Sequence, residues 1–263
     1  MKTESATVRL AWVDALRGLA VAGMVWTHCA NTFLDERLQQ TEAYAWASYF
    51  HGLIAPTFFW LAGWVRGVAR VDGGAGKSVW PSVKRVGLIF LLGHLLHIPW
   101  TEWGRGDFSA STWRTFLQAD VLQCLALSSL LLLALERMGR LAMAGAILLL
   151  VVVLWLTDLL KEVQTGWQWV DAYLNRQQGS LFPLFPWAGF ALAGFICGRV
   201  RPQPRLLFAS GAITVALMWT VTGAHSTVSF FIERLAWVLA FAGASWLLEL
   251  RLGKALWPRW LLL

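Results

Sequence analysis

The sequence predicts an all-α fold: a polytopic bundle of about eight transmembrane helices with its N-terminus in the cytoplasm. Three observations carry this. Only 14% of the 263 residues are charged and 57% are hydrophobic, where a soluble domain carries about 25% charged residues. Several apolar runs, of which LAMAGAILLLVVVLWLTDLL at 141–160 is the plainest, reach the roughly 20 residues a helix needs to cross a bilayer. Eighteen tryptophans, many near the ends of these runs, match the aromatic belts at the two membrane interfaces.

Taken in order, the runs place spans at about 11–33, 45–68, 83–99, 116–135, 140–160, 181–199, 206–222 and 229–249. The first is a retained helix rather than a cleaved leader. Asp14 and Arg17 interrupt its start, and it runs past Cys29 with no small-x-small cleavage site. The loop after the second span holds GAGKS at 74–78, but a phosphate-binding loop needs a glycine where Val71 stands and a preceding strand. A flexible cytoplasmic turn is the expectation there. The closing ALWPRWLLL at 255–263 reads as the opening of a truncated ninth span. The whole chain, 1–263, is expected to form one integral-membrane domain, short at its C-terminal end.

Charge sets the orientation. With the N-terminus inside, fifteen lysines and arginines fall in inner segments, six fall outside, and Arg17 lies within a span. That is the positive-inside bias, and merging or splitting one span would largely erase it. The net charge of +7 is therefore topological, and a nucleic-acid partner is not expected. The expected location is a bacterial inner membrane. Cys29, Cys124 and Cys197 each fall in a different apolar run, which gives neither a disulfide framework nor metal-type spacing.

Ionisable residues inside a membrane are costly and mark function. Arg17 and His28 stand eleven positions apart, about three turns plus 20° on a helix, so they share a face and are separated by about 16 Å of rise. Asp14 and Asn31 fall near the same stripe. His51, His94, His97 and His225 lie with His28 in the outer half, as do Asp120 and Glu233. Histidine is suited to acid–base work near neutral pH. Single membrane histidines also serve as hydrogen-bonded packing groups, the plainer reading for His97 and His225.

Several segments carry a resemblance. WVDALRGLAVAGMVWTHCAN at 12–31 resembles the first helix of the membrane acyltransferase superfamily, whose acyltransferase-3 branch spaces an arginine and a histidine as Arg17 and His28 are spaced. HGLIAPTFFWLAGWVRG at 51–67 is similar to that family's His, Ala-Pro, aromatic-pair and small-Gly run. FPLFPWAGFALAGFICG at 182–198 and DVLQCLALSSLLLL at 120–133 resemble segments of the heparan-α-glucosaminide N-acetyltransferase-like branch.

The resemblance implies transfer of an acyl group, usually acetyl, from acyl-CoA in the cytoplasm to a sugar hydroxyl or amine outside. Acyl-CoA is then a co-substrate, and no metal is expected. Arg17, Arg66, Lys84 and Arg85 are candidates for holding its phosphates. His28 or His51 would act as general base or transient acyl carrier, with Asp120 or Asn31 orienting the ring. Gly52, Gly63 and a kink at Pro56 would let helices close around a narrow tunnel. The expected partners are the lipid bilayer, acyl-CoA and a sugar or glycan acceptor. Oligomeric state stays open, with a homodimer among the states allowed. A proton-coupled transporter and an inactive membrane scaffold are the competing function classes.

Overall fold

A computed structural model describes residues 10–71, 79–220 and 226–253 of the chain. The GAGKS turn, His225 and the 255–263 tail lie outside the described residues. All regular structure within them is helical: α1 (Ala11–Phe33), α2 (Glu36–Gln39), α3 (Glu42–His51), α4 (Ile54–Val71), α5 (Trp80–Leu96), α6 (Trp100–Gly104), α7 (Ala110–Leu117), α8 (Val121–Arg137), α9 (Ala142–Leu160), α10 (Gln168–Leu174), α11 (Leu184–Val200), α12 (Pro204–Thr220) and α13 (Thr227–Leu252). Each of the eight expected apolar segments is largely helical, the second across α3 and α4 and the fourth across the end of α7 and most of α8. Among the described residues three stretches are long and apolar enough to cross a membrane, Glu42–Ala69, Gly139–Leu160 and Thr227–Leu252. A fourth arises if α7 and α8, bent by 53° at their junction, count as one span.

Two boundaries differ from expectation for local reasons. The second segment breaks at Gly52–Leu53, between α3 and α4, and not at Pro56. Pro56 sits in the first turn of α4, where the N–H it lacks has no partner to lose. The fourth segment starts at Val121 rather than 116, because Asp120 caps α8. Its carboxylate accepts from the Val121 N–H at 2.7 Å, and the Gln123 side chain accepts from the Asp120 N–H at 3.3 Å, a capping box.

The chain gathers into two compact units that interleave in sequence. The first draws on Met1–Phe58, Pro202–Thr222 and Glu233–Leu263, the second on Phe59–Arg201 and Gly223–Ile232. In the first unit, Leu10 offers no side-chain cap to α1. The Glu249 carboxylate of α13 supplies one by accepting from the Trp12 N–H at 2.5 Å, placing an anion at the positive end of the helix. Trp12 stacks on Trp246 at 5.3 Å beside this contact. An apolar cavity of about 540 Å³, walled by Phe208, Trp219, Trp237 and Phe241, lies along α12 and α13.

In the second unit α11 is buried almost all round, from Pro186 to Phe195, as a uniformly apolar helix must be. Its pairing with α4 is a reciprocal seam of small residues. A Cβ at Gly63 would stand 1.9 Å from the Ala191 carbonyl oxygen, and one at Gly194 2.0 Å from that of Trp60. Gly67 and Gly198 repeat the contact one turn on, against Phe195 and Trp64. Two Gly-x-x-x-Gly faces thus meet backbone to backbone, the small-residue packing that joins helices where no hydrophobic drive separates protein from solvent.

Candidate functional site

The polar stripe expected on α1 is present, on an unbroken helix whose two halves differ. Ala11 to Ala20 contribute most of its buried residues, whereas Val21, Val25, Trp26 and Phe33 are exposed. Arg17 pairs with Asp14 across one turn at 3.4 Å and stays 42% exposed. His28 is exposed, and Asn31 accepts a hydrogen bond from the Tyr44 hydroxyl at 2.5 Å.

His51 closes α3, and its ring meets the Trp26 indole edge to face with centroids 4.3 Å apart. Its Nε2 is buried and has no hydrogen-bond partner. Trp26 and His28 are two positions apart on one helix, which turns them about 200° from each other. The face of α1 that receives His51 is therefore not the face that carries His28 and Arg17. Among the described residues of this unit no hydrogen bond joins Arg17, His28 and His51.

A network absent from the sequence reading lies one turn before the α3 end. The Tyr49 hydroxyl donates to the Glu233 carboxylate and accepts from the Trp237 indole N–H at 2.8 Å. Arg234 Nη1 donates to the Tyr49 carbonyl at 2.7 Å, and its guanidinium lies 4.2 Å from the Tyr49 ring centroid. The acidic–basic pair at 233–234, inside an otherwise apolar run, was the one available signal.

The second unit holds Asp120, Arg66, Lys84 and Arg85. Besides capping α8, Asp120 faces His97, with Oδ2 3.6 Å from Nε2. His97 Nδ1 contacts the Gly93 carbonyl at 2.9 Å, and His94 Nδ1 contacts that of Phe116 at 3.2 Å. A carbonyl only accepts, so each Nδ1 carries a proton and each Nε2 faces the other way. For His94 that partner is the Tyr173 hydroxyl at 3.3 Å. Burial first, and then the nearby Cys124, push the Tyr173 phenol up to about 12.

Gln123 is wholly buried and fits only because its neighbour is Gly93, where a Cβ would come within 2.6 Å of its amide carbon. Next to His97 opens a polar cavity of about 370 Å³, lined also by Glu102, Asp107, Ser111, Thr112 and Thr115. Asp107 is held below the usual carboxylate range by hydrogen bonds from the Ser109 backbone and side chain.

The expected phosphate-binding bases are not equivalent. Arg66 pairs with Glu136 at 3.1 Å, both about four-fifths buried, so its charge is already balanced. Lys84 and Arg85 are exposed in the first turns of α5, and Lys84 lies 5.4 Å from the Trp80 ring centroid. Among the described residues no three His, Cys, Asp or Glu side chains converge as a metal site would require.

Residues 9–235 match the family described as heparan-alpha-glucosaminide N-acetyltransferase, catalytic. No curated protein and no solved structure matches the chain.

Proposed function

Because the chain belongs to the family of the heparan-alpha-glucosaminide N-acetyltransferase catalytic domain, we propose that it is an integral membrane acyltransferase. It moves an acetyl group from acyl-CoA on the cytoplasmic side to a sugar hydroxyl or amine on the outer side. The eight apolar segments are its crossings, with the N-terminus inside. This topology is supported by the fifteen-to-six distribution of basic residues. The proposed location is a bacterial inner membrane, and the partners are lipid, acyl-CoA and a glycan acceptor.

The observation that carries the reading beyond the family is the state of His51. An imidazole whose Nε2 is buried without a partner, at the end of an apolar helix, has a ring nitrogen uncommitted to structure. A general base for an incoming hydroxyl or amine needs that condition. The acceptor gives its proton to His51, its oxygen or nitrogen attacks the thioester carbonyl, and the CoA thiolate leaves and takes up a proton. In this reading Lys84 and Arg85, exposed at the start of α5, hold the CoA phosphates by charge-assisted contacts, with Arg17 as a further inner cation. Arg66, already paired with Glu136, serves this role only if the pair opens.

The test is incubation of purified protein with radiolabelled acetyl-CoA and a panel of sugar and amino-sugar acceptors, wild type beside His28→Ala and His51→Ala. Label should pass to an acceptor with wild type and fall by about 10²–10⁴ in His51→Ala. No turnover with any acceptor would overturn the enzymatic reading. Full turnover in His51→Ala with loss in His28→Ala would move the chemistry to His28.

A further inference from the structure

A second cavity of the Phe59–Arg201 and Gly223–Ile232 unit, about 340 Å³, is lined by Lys161, Arg176, Phe185, Trp187, Ser226 and Phe230 among others. It shares no residue with the cavity beside His97 and has the opposite charge. Among the described residues, two cations line it and no carboxylate does. Two carboxylates of the same region already accept hydrogen bonds: Asp158 from the hydroxyl of Thr227, itself a lining residue, at 2.9 Å, and Asp171 from the Thr165 N–H at 2.8 Å.

The chain around the two cations is held firmly. Asn175, 4% exposed, donates through its amide to the carbonyls of Leu160 at 2.8 Å and Val163 at 2.7 Å. Gln177 donates to the Lys161 carbonyl, and Arg176 Nη2 to the Leu181 carbonyl, both at 3.3 Å. These bonds tie the segment after α9 to the segment after α10, so Lys161 and Arg176 start from fixed backbone positions at one opening. Three aromatic rings, Phe185, Trp187 and Phe230, also line it. Trp187 meets Phe230 edge-on at 6.0 Å, and Phe185 and Phe230 are partly exposed. A few charged groups converging on an aromatic wall are the composition of a ligand site rather than of a solvated surface.

From this we infer that the cavity binds an oxyanion, phosphate or carboxylate, held by Lys161 and Arg176, with the ring or chain that carries it lying against Phe185 and Phe230. Arginine supplies a planar fork for two oxygens and lysine a point charge. The aromatic faces take the apolar side of the carrier. The inference does not depend on acyl transfer. In the topology proposed above the cavity opens on the outer side, where the anion can come from a soluble sugar-like molecule or from a lipid headgroup.

Equilibrium dialysis of the full chain in phosphatidylcholine nanodiscs, with radiolabelled glucose 1-phosphate and glucuronate as probes and glucose as the uncharged control, tests the soluble source. Saturable binding of an anionic probe is expected, weakened roughly tenfold or more in the Lys161→Gln, Arg176→Gln double variant. The lipid source is tested by native mass spectrometry of protein taken from nanodiscs containing phosphatidylglycerol. Retained anionic lipid should be lost in the same variant. Lys161→Arg keeps the charge and should bind as wild type does, which separates lost charge from lost fold. A loss in either arm supports the site and names its source. Equal behaviour of wild type and double variant in both arms, or no saturable binding at all, overturns it.

Discussion

The imidazole of His51 and the Trp26 indole meet edge to face, with ring centroids 4.3 Å apart, and the imidazole Nε2 is buried without a partner. An edge contact of this kind fixes the plane of a ring without using its nitrogens. Under the proposed role of His51 as base, Trp26 is its positioning residue, and among the described residues no carboxylate is bonded to the ring. Trp26→Phe keeps an aromatic edge and should leave acetyl transfer within a few-fold of wild type. Trp26→Ala frees the ring and should cost about 10–100-fold through lost orientation. Acetyl turnover and its pH profile check this. A profile of unchanged shape and reduced height in Trp26→Ala is the mark of positioning. An unchanged rate would leave His51 without a reason to be held.

The seam between α4 and α11 gives a stability prediction that is independent of the chemistry. With a Cβ at Gly63 or Gly194 placed about 2 Å from a main-chain carbonyl oxygen, neither helix can yield by a rotamer change. Gly63→Ala and Gly194→Ala should each cost about 3 kcal/mol or more, at or beyond the top of the range for overpacking. Gly87→Ala, where an added Cβ meets nothing within 4 Å, should be neutral or stabilising, as alanine is in any helix. Thermal unfolding in detergent of the three variants side by side checks the order.

Tyr173 allows a pH prediction outside the apolar segments. Its phenol is raised from an ordinary 10.0 to about 12, chiefly by burial. Between those values the folded chain holds a proton that the unfolded chain has released. Its contribution to stability is thus complete below pH 10 and is lost as pH rises towards 12. Tyr173 is one of three tyrosines. Subtracting the tyrosinate absorbance titration of Tyr173→Phe from that of wild type should leave a single step near the upper value. A step near 10 would mean the phenol is not shielded, and its hydrogen bond to His94 would then be exposed to solvent as well.

The sequence made the helices legible because an apolar run is a local property. The first span was expected at 11–33, the bounds that α1 takes. The break at Gly52–Leu53 and the late start of α8 turn on single residues whose role depends on their neighbours. Helices α2, α6 and α10 sit in connections with no apolar run and left no trace in the pattern. The site divided the same way. The spacing of Arg17 and His28 could be read along one chain. The Tyr49–Glu233 bond, spanning 184 positions, could not, because nothing local says which helix end meets which. Gly63 was expected to let helices pack closely, but its pairing with the Gly194 and Gly198 face of α11 is a property of the fold. Asp120 was singled out as an orienting acid. It lies against His97, a histidine whose plainer reading was a packing role.

Asp120 has two roles that one pair of substitutions separates. As the cap of α8 it needs only a side-chain oxygen, and as the partner of His97 it needs a charge. Asp120→Asn keeps the first and removes the second, because asparagine caps about as well as aspartate. Asp120→Ala removes both and should cost about 1 kcal/mol of stability, read as a lower unfolding temperature than that of Asp120→Asn. If the charge serves acyl transfer through His97, both variants should lose turnover to a similar extent and His97→Gln should reproduce the loss. If Asp120 is structural alone, Asp120→Asn should retain wild-type turnover while Asp120→Ala falls only in step with its stability. Turnover of Asp120→Asn at a temperature where both proteins are folded decides between the two outcomes. The cavity beside His97, with its two carboxylates and three hydroxyls, would then be either an acceptor-facing pocket or a solvated cleft.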